Sequence, residues 1–425
     1  MLDESKKMFE SLKSCGWLAD AAMRTLALLS ILASIGMPAI ASSDVELDPV
    51  SVQQLEKLLK TVHGMPDAKL ATQLYAISLT ERLSTARLTR LGAELQSPKA
   101  RQALVALADA SAFLTPPADE IPANAKPDLA AQRQIISLAT AFVVRTMHRL
   151  PDFIAARDTT EFQNNLKGHA SASPIAAAEA RFHFVGSTSA TVVYRDGSEV
   201  VDEKQETKPG KKQLTNGLNA VGEFGPLLDI VFNDITHAKM EWSHWEQGAA
   251  GTMAVFHFSV SKEKSHYEVK HCCVWFPNNA AQLGELPGMF DEFPGYHGEI
   301  AIDPANGDIL RLAVQPELQP ILPIVRADVA VEYGHVDIGG RSYICPVKSV
   351  SISDATIERS SPFGSAAYLA GFKRTALNDV VFKQYRQFRG EVQILSVDTA
   401  EQHGNAQPSA PASAPPATPA KAPQP

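Results

Sequence analysis

The chain has 425 residues, 45% hydrophobic and 20% charged, an ordinary composition for a globular protein with room for two or more domains. With 39 Lys and Arg against 47 Asp and Glu, the formal net charge is −8. That balance argues against a nucleic-acid binder, which needs a basic face.

The first informative segment is Met23 to Ala41. Arg24 gives a positive flank, Thr25 to Ile35 is an apolar run without a charge, and Ala39-Ile40-Ala41 is a small-x-small cleavage pattern. Residues 1–41 therefore read as a leader and signal peptide, with 23–41 the signal proper. The expected compartment is exported, either periplasmic or secreted, with Ser42 as the mature N-terminus. An uncleaved anchor is the alternative, although the run is shorter than the ~20 residues that span a bilayer comfortably. Cleavage removes four bases and four acids, so the net charge stays at −8. No transmembrane span is expected after it.

Residues 42–170 read as a helical domain. Leu55, Leu58, Leu59 and Val62 recur at helical spacing, as do Leu70, Leu74 and Ile77, then Leu104 and Leu107, then Ile135, Leu138, Phe142 and Val143. Pro66 and Pro98 suit first helical turns. Ser171 to Ala180 is a small-residue linker, and the expected domain boundary lies there.

Beyond it the period changes from 3.6 to 2. Ile300 and Ile302, Leu310 to Val314, Val329 to Tyr333, Val350 with Ile352, and Val392 with Ile394 alternate with polar or small residues. Such alternation belongs to antiparallel strands with one buried face. Asp196-Gly197, Asn306-Gly307 and Gly339-Gly340 are hairpin turns between them. Pro226 to Ile235 reads as a short helix. The expected fold class is α+β: a helical N-terminal domain, then over 181–398 a large curled antiparallel sheet of nine to eleven strands. Residues 399–425 read as a disordered tail, with seven prolines between Gln407 and Pro425.

The chemistry-bearing residues are dispersed. His237, His244, His257, His266, His271, His297 and His335 show no compact metal-ligand spacing. The turn at 303–308 lacks the late Glu of a calcium loop. Cys272, Cys273 and serines such as Ser259 sit in no nucleophile motif, and no Gly-rich phosphate loop occurs. No catalytic residue, metal or cofactor is expected. Of the three exported cysteines, Cys273 and Cys345 are expected to share a strand face and form a disulfide.

Aromatic residues cluster instead. Trp242, Trp245, Phe256, Phe258, Trp275, Phe290, Phe293 and Tyr296 fall within about 55 residues. They either line an apolar cleft on the sheet or fill its core. Leu286 to Tyr296 reads as a long loop, and a lid if the cleft exists.

Gly298-Glu299-Ile300-Ala301-Ile302-Asp303 followed by Gly307-Asp308-Ile309-Leu310-Arg311, and Leu377-Asn378-Asp379-Val380 before a last strand, resemble the periplasmic lipoprotein-carrier half-barrels. The resemblance covers about 181–398 and leaves the helical region unmatched. It implies a concave sheet able to hold acyl chains, and transfers no binding residue. The first functional expectation is thus an exported, non-enzymatic protein that binds a lipid or other apolar small molecule. An envelope interaction protein with a solid core and a protein partner is the second. A hydrolase whose site is assembled from dispersed residues is the third.

Overall fold

The computed structural model describes residues 49–61, 65–147, 150–164, 182–200, 217–218, 223–236, 238–249, 251–274, 288–320, 323–357 and 372–388. The expected signal, linker and Pro-rich tail lie outside them, as does Trp275.

The first described elements are amphipathic helices, α1 (Val52–Thr61), α2 (Asp67–Ala76), α3 (Thr85–Glu94) and α4 (Pro98–Ala110), of which α3 is one more than the apolar spacing and Pro98 marked. Val52, Leu55 and Leu59 of α1 meet Leu70 and Leu74 of α2 and Leu104 and Leu107 of α4 in a core of their own. Each such burial contributes about 1.5–3 kcal/mol. Ser97 caps α4 by accepting from the Ala100 amide at 3.3 Å, with Pro98 at the first helical position. Helix α5 (Leu129–Met147) follows after a loop.

The next element departs from expectation. Phe153–Asn164, read as the end of the helical domain, is strand β1, and it pairs with β13 (Phe372–Gln387) on one side and β2 (Phe182–Arg195) on the other. The sheet therefore begins before residues 165–181 rather than after them. Its remaining strands are β3 (Ser198–Val200), β5 (Lys239–Gln247), β6 (Thr252–Val260), β9 (Tyr296–Ile302), β10 (Ile309–Pro316), β11 (Ile324–Ile338) and β12 (Arg341–Ile357). The order β3-β2-β1-β13-β12-β11-β10-β9-β6-β5 makes ten antiparallel strands, with β3 and β5 at the two ends among the described residues.

A second sheet, β4-β7-β8, joins β4 (Gly217–Leu218), β7 (Val269–Val274) and β8 (Gly288–Glu292). Strand β8 takes up part of the stretch expected to be a loop and lid. Helix α6 covers Pro226–Ile235, as its pattern predicts. Two of the three expected turns are tight hairpins: Asp196 and Gly197 have φ of 53° and 80°, and Gly339 and Gly340 of 64° and 82°, whereas at Asn306-Gly307 only Gly307 has a positive φ, 82°, in a longer connection between Ile302 and Ile309. Positive φ at both central positions is what a tight hairpin requires.

The large sheet carries different chemistry on its two faces. Residues paired across strands share a face. Phe256, Ile300, Leu312 and Val331 define an inner face, packed under Phe142 and Val143 of α5, Val231 and Phe232 of α6, and Val269 and Phe290 of the small sheet. The opposite face is polar at most positions. It meets the helical layer through Ala106 of α4 against Phe162, Val350, Ile352 and Leu377, and through Lys348, whose Nζ lies 2.7 Å from Asp109 and 3.0 Å from Asp379. Among the described residues no helix is long and apolar enough to cross a membrane.

Candidate functional site

The structure makes most of the singled-out aromatics part of the packing. Phe256, Phe258, Phe290 and Tyr296 are buried in the inner-face core, and Trp242 and Trp245 lean on it. Trp242 sits edge-on to both Trp245 and Phe256, with ring centres 4.9 and 5.4 Å away. The Trp245 indole donates to the Ala125 carbonyl at 2.8 Å. Tyr296 donates to Asp234 Oδ2 at 2.9 Å and thereby ties β9 to the end of α6. Phe293 stands apart, 50% exposed. Cys345 is a free, buried thiol that burial pushes up to about 12. The side chain of Cys273, its expected partner, lies outside the described residues.

Further along the inner face the side chains change character. On β12, Ser349 and Ser351 lie opposite Val331 and Val329 of β11, and Ser349 also lies opposite Val380 of β13. Where β6, β9 and β10 carry Phe, Ile and Leu on this face, β12 carries small hydroxyls, all of them buried. Glu223, three residues before α6, is 1% exposed. Its Oε1 accepts from Arg157 Nη2 at 3.5 Å. Arg157 also reaches Glu199 Oε1 at 3.8 Å and stacks over Phe382 with 5.7 Å to the ring centre.

Among the described residues, one guanidinium thus serves two carboxylates. Glu223 Oε2, Glu199 Oε2, Tyr333 Oη and Ser349 Oγ are each screened from water and, among the described residues, without a hydrogen-bond partner of ordinary geometry. Burial raises the Glu223 carboxyl above the ordinary carboxylate range, and the Arg157 charge only partly offsets it. Burial likewise raises Tyr333, helped by the Glu223 charge. The Ser349 hydroxyl beside Glu223 acts the other way and favours its charged form. An unmade hydrogen bond on a buried group costs about 1–3 kcal/mol. Four of them together are an arrangement that a polar group entering from outside would relieve.

Sequence reasoning missed this cluster because its members come from 157, 199, 223, 333 and 349, with no spacing in common. The one available signal was Glu223 beside Phe224-Gly225-Pro226, an acid placed directly before an apolar helix. Comparison with protein families, with curated proteins and with solved structures yields no match for this chain.

Proposed function

We propose that the protein is an exported binder of an apolar molecule whose polar end is an amine or a hydroxyl, held on the inner face of the large sheet. The observation that carries this reading is the set of four buried oxygens around Glu223, next to the serines of β12, that lack a partner of ordinary geometry among the described residues. With two carboxylates around one guanidinium, the cluster favours a hydrogen-bond donor or a cation over an anion. Phe224 and Phe382, with 4.9 Å between ring centres, are buried beside the cluster and give it apolar surroundings. The resemblance to lipoprotein-carrier half-barrels supports the same reading, with a concave curvature of the sheet as part of the proposal. Export is supported by residues 23–41; an intact mass beginning at Ser42 is the expected result for the exported protein.

The test uses the amine-bearing fluorophore N-phenyl-1-naphthylamine. We expect it to bind with enhanced emission and to be displaced by dodecylamine. Glu223→Gln should weaken dodecylamine by about tenfold, since a hydrogen bond to a charged group contributes about 1.5–3 kcal/mol. Absence of displacement, or equal displacement from Glu223→Gln, would overturn the reading. The interaction-protein alternative rests on the other half of the inner face, where α5 and α6 already fill the space over Phe256 and Ile300.

A further inference from the structure

On the opposite face, at the edge of the sheet, a different cluster is assembled. Strand β5 is an edge strand, and its ladder with β6 skips one residue: Trp242 pairs with Phe256 and His244 with Val255, leaving Ser243 as a bulge. A bulge re-aims the side chain it carries. Ser243 Oγ lies 2.9 Å from His257 Nε2 and 2.8 Å from His244 Nδ1.

Each histidine is backed by a carboxylate. His257 Nδ1 faces Glu299 Oε1 at 3.5 Å, and His244 Nε2 faces Glu246 Oε2 at 3.5 Å. Phe256, Phe258 and Ile300 point into the core, so His257 and its cross-strand partner Glu299 project the other way.

The carboxylates are themselves fixed. Arg311 holds Glu246 with two bonds of 2.8 and 3.0 Å and reaches Glu299 Oε2 at 3.2 Å. Arg82, brought from the helical layer, lies 2.6 Å from Glu246. Both arginines are buried, whereas the His257 side chain is 55% exposed. The result is a charged floor under an exposed imidazole and a half-buried hydroxyl.

Ser243 has one proton to donate, so only one histidine can accept it. Glu299 Oε2 is engaged by Arg311 and its Oε1 is left for His257 Nδ1–H. That tautomer leaves the His257 Nε2 lone pair facing Ser243. The order carboxylate, imidazole, hydroxyl is that of an activated nucleophile, recognised by geometry rather than by sequence position.

We propose that Ser243 is the nucleophile of an acyl-transfer site for small carboxylic esters, with His257 as general base and Glu299 as the positioning residue. Ser243 Oγ attacks the ester carbonyl and its proton passes to His257 Nε2. The bond to the leaving alkoxide breaks, and the alcohol departs with that proton. Water then attacks the acyl-serine, giving its proton to His257, and Ser243 leaves reprotonated with release of the acid. A small acyl group suits a site floored by charges and open to water. The site lies on the face away from Glu223, so it stands or falls independently of the binding proposal.

The experiment is labelling of the full chain with an alkyl fluorophosphonate, in which a bond from Ser243 to phosphorus forms as fluoride leaves. Peptide mapping should place one phosphonyl group on Ser243, and Ser243→Ala should take none. His257→Gln should slow labelling by about a hundredfold, the usual range for losing a general base, while His244→Gln stays within a few-fold. Glu299→Gln should change the pH profile of the labelling rate, a readout that a purely structural role would leave unmoved. Melting temperatures of the variants control for folding, and the exposure of His257 makes His257→Gln the safest of them. An unlabelled folded protein, a label elsewhere, or equal rates for wild type and His257→Gln would overturn the proposal.

Discussion

Gly298 shows how tightly single residues are fixed around the sheet. A Cβ there would lie 1.9 Å from the Ala313 carbonyl oxygen and 2.8 Å from Phe258, so β9 and β10 approach through a position with no side chain. Gly298→Ala should lower stability by about 3 kcal/mol, the upper range for overpacking, measurable as a shifted urea midpoint. Cys345 invites a second measurement. Its burial and raised titration predict no reaction with iodoacetamide in the native protein at pH 8, and full reaction once it is unfolded. The two positions also mark what one sequence reveals. The alternation of Ile300 and Ile302 announces a strand with a buried face, because period 2 is a local property. That Gly298 must stay bare is legible only once the Ala313 carbonyl is known to lie against it. The aromatic cluster was legible in the same partial way. Its members do gather in one place, but Phe256, Phe258 and Tyr296 are consumed by packing against α5 and α6.

At the scale of elements, β1 was the strand that pattern could not find. Between Phe153 and Phe162 it reads Ile-Ala-Ala-Arg-Asp-Thr-Thr-Glu, with no apolar alternation. Its polar side chains have partners on neighbouring strands instead: Asp158 accepts from Ser189 at 2.6 Å and pairs with Lys383, and Arg157 meets Glu199 and Glu223. The consecutive threonines were the available hint, since β-branched residues favour strands. The bulge at Ser243 was equally hidden, because a one-residue shift in pairing leaves no trace in composition. Where α4 meets the sheet, Lys348 stands between Asp109 and Asp379. Burial raises Asp109 to about 8, with the Lys348 charge opposing and the Asp379 charge adding to the rise. The folded protein therefore binds that proton more tightly than the unfolded chain, which releases it near 4. Asp109 adds stability below about pH 4, and that contribution is lost as pH rises through about 8. Between pH 5 and pH 8 the melting temperature of wild type should fall relative to that of Asp109→Asn, which stays neutral throughout. Parallel curves for the two proteins would show that Asp109 is not the group that holds this proton.

For the whole molecule, the decisive fact is that the sheet takes strands from both sides of residues 165–181. Strand β1 pairs with β13 along its length, from Phe153 opposite Gln387 to Gln163 opposite Ala376, and with β2 on its other edge. The helical layer is bound to the same sheet through Asp109 and Lys348, Arg82 and Glu246, and a 2.7 Å bond from Thr85 to Glu332. A cut at the expected boundary would remove a central strand and the cover of the polar face together. It would leave β13 and β2 with open edges and Lys348, Arg311 and Glu246 facing water. Open strand edges pair with other chains. A fragment beginning at 182 and ending at 388 should therefore be recovered aggregated when made alone. Co-production with a fragment covering 49–164 should restore a soluble, co-purifying complex with a single cooperative unfolding transition, because the split falls between strands and breaks none of their pairing. A folded, monomeric 182–388 fragment would show that the helical region is an appendage. Recovery of the complex would show that sheet and helices are one folding unit, with the Glu223 cluster and the Ser243 bulge on the two faces of a common support.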